Sequence, residues 1–158
     1  MNMEKQKAEK EARYAELYPQ LKALLEGETD SIANMANMAG ELHNTFQFWW
    51  TGFYRVIADK LVLGPFQGPT ACTRIRYGKG VCGTAWEKQQ TMVVPDVEAF
   101  AGHIACSSAS KSEIVVPILK EDKVVAVLDI DSAELDTFDE VDAKWLEKMV
   151  KLLHASMN

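Results

Sequence analysis

Residues 113–120 and 123–133 form two apolar runs separated only by Glu121-Asp122. A connection that short can join neighbouring strands only antiparallel, because a parallel crossover needs a dozen residues or more. A lone hairpin is marginal in water, so the rest of the chain must supply further strands and a cover for the faces. From residue 49 the apolar period is indeed that of strands. Trp50-Thr51-Gly52-Phe53-Tyr54-Arg55-Val56 reads as one strand, Asp59-Lys60 as a turn and residues 61–66 as the hairpin partner. Residues 71–77 read as another strand ending at Gly78-Lys79-Gly80. Residues 81–90 have the composition of a short helix, and residues 91–94 form a brief strand stopped by Pro95.

Helical periods flank this region. Residues 4–25 carry Tyr14, Leu17, Leu21, Leu24 and Leu25 on one stripe, with Pro19 expected to divide or kink the helix and Gly27 to close it. Thr29, Asp30 and Ser31 offer N-caps for a second helix to about residue 46, lined by Ile32, Met35, Met38, Ala39 and Leu42. Thr137 or Asp139 caps a last helix to about residue 155, with Trp145, Met149, Leu152 and Leu153 on its apolar side. The expected fold class is therefore α+β: one domain over residues 1–158, with N-terminal helices in 1–46, sheet and pocket in 49–133 and a C-terminal helix in 138–155. The terminal helices cover one face of an antiparallel sheet. The irregular segment 95–111 covers the other face and leaves a pocket beneath it.

Charge narrows the function. Lys+Arg is 17 against Asp+Glu 23, a net charge of -6. That balance argues against nucleic acid as a partner, since a concentrated basic face supplies most of such affinity. The apolar runs are of strand length, and the charged N-terminus lacks the apolar core of a signal peptide. The expectation is a cytoplasmic protein with no membrane partner.

In such a compartment the three cysteines, Cys72, Cys82 and Cys106, read as core residues, metal ligands or redox groups rather than as a disulfide framework. Cys106 falls in the irregular segment beside His103, where a nearby imidazolium would favour the thiolate. Cys82 falls in the first turn of the short helix, whose dipole would also lower a thiol pKa. A zinc site from Cys72, Cys82, His103 and Cys106 fits poorly, because structural zinc sites usually supply close cysteine pairs. No nucleophile elbow or nucleotide-binding glycine loop is present.

Residues two apart on a strand share a face, so Trp50, Gly52 and Tyr54 align, as do Asp129 and Asp131. The aspartates either mark where the strand has reached solvent or join Glu113, across the hairpin, in a carboxylate cluster. Such crowding raises at least one pKa and makes a proton donor or a cation-binding cup. With Trp50 and Tyr54 as a wall, it suits a small cationic or zwitterionic ligand. Without the carboxylates, the aromatics read as core.

Several segments together resemble a known family. Trp50-Thr51-Gly52-Phe53-Tyr54, Leu63-Gly64-Pro65-Phe66-Gln67-Gly68, Ala71-Cys72-Thr73-Arg74-Ile75 and Gly78-Lys79-Gly80-Val81-Cys82-Gly83 look like the free methionine-(R)-sulfoxide reductases. So do Gly102-His103-Ile104-Ala105-Cys106, Ser112-Glu113-Ile114-Val115-Val116-Pro117 and Leu128-Asp129-Ile130-Asp131-Ser132. The resemblance implies a stand-alone GAF domain that reduces free L-methionine (R)-sulfoxide. By match, Cys106 would attack, Cys72 would be its main disulfide partner and Cys82 an auxiliary thiol. Trp50 and Tyr54 would embrace the methyl-sulfoxide end, and Glu113, Asp129 and Asp131 would bind or protonate polar parts of the substrate. No metal or cofactor is implied, only a thioredoxin-like thiol reductant as co-substrate, and a homodimer is compatible with the chain. The chain departs from the family pattern at Ala101, where proline is expected, and at Ser107, where aspartate is expected. The rival expectation is a non-catalytic GAF module that binds a small ligand or senses redox state.

Overall fold

Two tight hairpins organise the sheet. Ala58 and Asp59 both adopt positive φ (46° and 69°), as do Glu121 and Asp122 (53° and 65°). Paired left-handed residues make the two-residue turn whose twist matches antiparallel strands. The first turn thus sits one residue earlier than the sequence suggested. The computed structural model describes residues 2–102 and 109–157. Its strands are β1 (Trp50–Ile57), β2 (Lys60–Gln67), β3 (Arg74–Arg76), β4 (Met92–Val94), β5 (Ser112–Lys120) and β6 (Lys123–Ser132). They form one sheet in the order β3-β2-β1-β6-β5-β4, and each adjacent pair is antiparallel. β3 is much shorter than the strand expected over 71–77: its register with β2 spans only Val62 to Lys60.

Helices α1 (Met3–Leu25), α2 (Ser31–Phe46) and α4 (Glu140–Val150) pack on one face, and α3 (Gly80–Lys88) lies on the other. Pro19 neither divides nor ends α1, which runs 23 residues with Tyr14, Leu17, Leu21 and Leu25 buried. Burial on both sides of the proline offsets the one backbone hydrogen bond it removes. Leu24 and Ile32, expected on the buried stripes, are instead exposed. In α2 the buried face is Asn34, Met35, Met38, Ala39 and Leu42, which leaves Ile32 off the stripe. Asn34 is satisfied there by donating its Nδ2 to the Glu28 carbonyl at 3.1 Å. Asp30 caps α2 by accepting from the Ala33 amide, and Asp139 caps α4 in a capping box with Asp142. The α form ends at Val150, and Lys151–Ser156 continues as a 3₁₀ helix, so the expected single helix to 155 is two pieces.

Strand alternation divides the interior in two. Phe53, Ile114, Val116, Ile118, Leu128 and Ile130 face the helices with Tyr14, Leu21, Met38, Leu42, Leu146 and Leu153. Trp50, Tyr54, Leu61, Val115 and Val127 face the other way, beneath Val81, Cys82 and Ala85 of α3. The first cluster is a closed core. The second is where polar groups enter, and it holds the cavity described next.

Candidate active site

Three adjacent central strands present their pocket-side residues in rows. Trp50 of β1 opposes Asp131 of β6, which opposes Glu113 of β5. In the next row Gly52 opposes Asp129, which opposes Val115. Opposed residues share a face, so a single register places one aromatic ring and three carboxylates on the same side. A Cβ on Gly52 would lie 2.4 Å from Phe66 Cβ and 2.6 Å from Trp50 Cη2. Only glycine lets the indole lie over the strand there. Trp50 stacks with Tyr54 at 6.0 Å between ring centroids and with Phe66 at 5.2 Å. Its Nε1 donates to the Pro69 carbonyl at 3.0 Å, and the Tyr54 hydroxyl donates to the Cys72 carbonyl at 2.8 Å. Both rings are therefore held at their polar tips, leaving their apolar surface to shape the cavity.

The carboxylates are inside the protein. Glu113 and Asp129 are each 6% exposed and Asp131 is half-buried. This removes the alternative in which the strand has already reached solvent. Glu113 opposes Asp131, one of its oxygens lies within 4.8 Å of one from Asp129, and Ser110 Oγ donates to Asp131 Oδ1 at 3.2 Å. Burial, followed by the neighbouring Asp129 charge, pushes the Glu113 and Asp131 pKa values well above the usual carboxylate range. Burial likewise pushes the Tyr54 hydroxyl up, so it remains a donor.

Cys82 corrects an expectation. It does lie in the first turn of α3, but it is a free thiol that is only 4% exposed. Burial, then Asp129, Glu113 and Asp131, pushes its pKa well above the usual thiol value instead of lowering it. Three acidic neighbours outweigh a helix-terminus effect that is typically worth under about 1 kcal/mol at exposed sites. One oxygen each from Glu113 and Asp129 and the Cys82 sulfur lie within 4.8 Å of one another, so this trio is the group able to approach a cation among the described residues. It shares only Cys82 with the cysteine–histidine set weighed from the sequence, two members of which lie outside the described residues.

These groups line a cavity of about 570 Å³, its mouth included, with Thr70, Ala71, Ile75, Lys79, Gly80, Val81 and Ser110. The first residues of α3 form the wall containing Lys79, and no side chain caps that helix. A cluster of acids thus shares one cavity with a helix N-terminus and an ammonium group, a layout matched to a zwitterion. Of the residues singled out from sequence, Trp50, Tyr54, Cys82, Glu113, Asp129 and Asp131 all line the cavity. Cys72 stands just behind Tyr54 and is disulfide-bonded. Cys106 and His103 lie outside the described residues.

The GAF domain model matches residues 31–156, most of the chain. The chain belongs to the GAF-domain family. GAF domain-containing protein A of Dictyostelium discoideum is 55% identical over 153 residues, covering 96% of this chain and 97% of that protein. The free methionine-R-sulfoxide reductase of Escherichia coli is 45% identical over 141 residues, covering 89% of this chain and 86% of the relative. Among solved structures, the free methionine-R-sulfoxide reductase of Neisseria meningitidis in complex with its substrate superposes with a TM-score of 0.91. The two are 51% identical, covering 93% of this chain and 92% of that one. The resemblance read from the motifs therefore holds across nearly the whole GAF domain, N-terminal helices included. Sequence reasoning missed Ser110, Lys79 and the Phe66 ring behind Trp50. Ser110 stood in a serine-rich stretch, and Lys79 between two glycines, so neither carried a pattern of its own. No helix among the described residues is long and apolar enough to cross a membrane.

Proposed function

We propose that this GAF domain reduces free L-methionine (R)-sulfoxide to methionine with a cysteine thiol. The observation that carries the reading is the cavity itself, where an aromatic wall and three carboxylates face the uncapped start of α3. A free amino acid brings an ammonium group for the carboxylates and a carboxylate for the α3 amides and Lys79. A methionine residue inside a peptide brings neither. Trp50 and Tyr54 offer apolar surface to the methyl-sulfoxide end. Relatives named as free methionine-R-sulfoxide reductases, one solved with its substrate, support the same reading.

In this mechanism the Cys106 thiolate attacks the sulfoxide sulfur while a protonated member of the carboxylate cluster donates to its oxygen. Such general acid catalysis is typically worth ~10²–10⁴-fold. The oxygen passes to Cys106 as a sulfenic acid and methionine leaves, so the substrate sulfur is reduced as the thiol is oxidised. The Cys72 thiol then displaces water from the sulfenic acid to close a disulfide. A dithiol protein of the thioredoxin type reopens it by exchange and leaves oxidised. The disulfide-bonded state of Cys72 and the burial of Cys82 as a free thiol support Cys72 as the resolving group.

Purified protein with dithiothreitol is expected to consume the R epimer of free methionine sulfoxide and not the S epimer. Cys106→Ser is expected to abolish turnover, and Cys72→Ser with thioredoxin to stall after about one turnover. Sustained turnover by Cys106→Ser would overturn the scheme. Binding of the R epimer without consumption would assign the domain to ligand sensing instead.

A further inference from the structure

Glu113 has a carboxylate on either side. It opposes Asp131 across the β5–β6 pair, and its carboxylate and that of Asp129 come within 4.8 Å. An ionised carboxylate only accepts hydrogen bonds. Buried carboxylates this close repel one another as anions and favour holding a proton among them, and its place decides which group is acid and which is anion.

Ser110 breaks the near-symmetry of the cluster. It stands just before β5, lines the same cavity and donates to Asp131 Oδ1 at 3.2 Å. A hydroxyl that donates to a carboxylate favours its ionised form. We propose that Ser110 is a positioning residue whose hydroxyl keeps Asp131 as the anion that receives the substrate ammonium and leaves the shared proton on Glu113 as the acid of the reaction. The assignment of roles rests on the functional reading above; the location of the proton does not.

The surroundings of Asp131 agree with this division. Asp129, also on β6, disfavours a second negative charge on Asp131, as burial does. Tyr54 from β1 and Cys82 from α3 are held in their neutral forms and add no charge. Lys79, at the start of α3, is the one cationic side chain lining the cavity among the described residues. Contact with Ser110 and with Glu113 lowers the proton affinity of Asp131, against burial and Asp129, which raise it. For Glu113, contact with either aspartate favours the protonated form.

The test uses the whole protein carrying ¹³C-labelled side-chain carboxyls, with the Asp131 and Glu113 signals assigned through Asp131→Asn and Glu113→Gln. In the substrate-free wild type, Asp131 is expected to be ionised and Glu113 protonated at neutral pH. In Ser110→Ala the Asp131 titration is expected to move to higher pH as proton density shifts to it from Glu113. KM for free methionine (R)-sulfoxide is expected to rise about tenfold, as for loss of one hydrogen bond to a charged group. The change in kcat should be smaller, and the acid limb of kcat/KM should move to higher pH. Ser110→Thr, which keeps the hydroxyl, should restore both titration and KM. If the alanine variant does not fold, Ser110→Cys weakens the donor at similar bulk and should shift both in the same direction. An unmoved Asp131 titration in a folded variant would overturn the proposal, as would a fall in kcat with KM unchanged. If neither epimer is consumed, the functional reading falls while the titration still decides where the proton resides.

Discussion

Glu113 is held where folding opposes its ionisation. Its ordinary pKa is 4.5, and burial beside Asp129 and Asp131 raises the folded value well above that. Below the ordinary value both folded and unfolded chains carry the proton, so the group is neutral with respect to stability. As pH rises through 4.5 the unfolded chain releases the proton while the folded chain keeps it, and stability falls until the folded group ionises too. Asp131 acts in the same direction. Glu113→Gln is therefore expected to melt higher than wild type at about pH 8 and nearly equally at about pH 4, as thermal unfolding at the two pH values would show. A variant that melted lower at the higher pH would mean Glu113 is paired as an anion. The same substitution removes the proposed acid and should lower kcat, which makes the cluster a place where stability is exchanged for function. The carboxylate cluster was legible because strand alternation places 129 and 131 together and the hairpin register brings 113 opposite. The state of Cys82 was not legible. Its helix position argued for a low pKa, whereas the acids that decide the matter come from strands distant in sequence.

Among the elements, α3 depends on one close approach. A Cβ on Gly83 would lie 2.5 Å from the Arg76 carbonyl oxygen and 3.2 Å from Gly78 backbone atoms. The Gly78 amide also donates to the Gly83 carbonyl, pinning the turn before α3 to its own first turn. Gly83→Ala is therefore expected to push α3 away from β3 and cost about 1–3 kcal/mol, as overpacking does. Because Lys79, Gly80, Val81 and Cys82 line the cavity, affinity for free methionine sulfoxide should fall together with melting temperature. Urea unfolding and calorimetric titration would check the two, and lost stability with unchanged affinity would separate α3 from the ligand site. The existence of α3 was readable from composition. Its tight seat was not, since a lone glycine in a helix gives no hint of which backbone it meets. Pro19 teaches the converse: the local rule allowed a division or a kink, and burial of Leu17 and Leu21 overrides the division.

The whole molecule is a sheet with unlike faces, a sealed core under α1, α2 and α4 and a cavity under α3. α1 is fastened to α4 through Asp142, which accepts from Lys10 Nζ at 2.7 Å and from the Tyr14 hydroxyl at 2.6 Å. Asp142 is 2% exposed, so loss of a partner leaves it poorly solvated. Lys10→Met is expected to destabilise the domain by about 1.5–3 kcal/mol, the range for hydrogen bonds to charged groups. KM should hardly move, because the contact lies on the face opposite the cavity. Chemical unfolding and steady-state kinetics on one preparation would test this, and a large rise in KM would show that the two faces are coupled. Periodicity in the chain alone determined the α+β class, the antiparallel hairpins and which residues share a face, since these depend on neighbours a few positions away. The tertiary structure alone decided that the Glu113 pKa is raised, that the Cys82 thiol pKa is raised rather than lowered, and that Ser110 and Lys79 join the site. Those properties depend on burial and on charges brought together by β1, β5, β6 and α3, segments far apart in sequence.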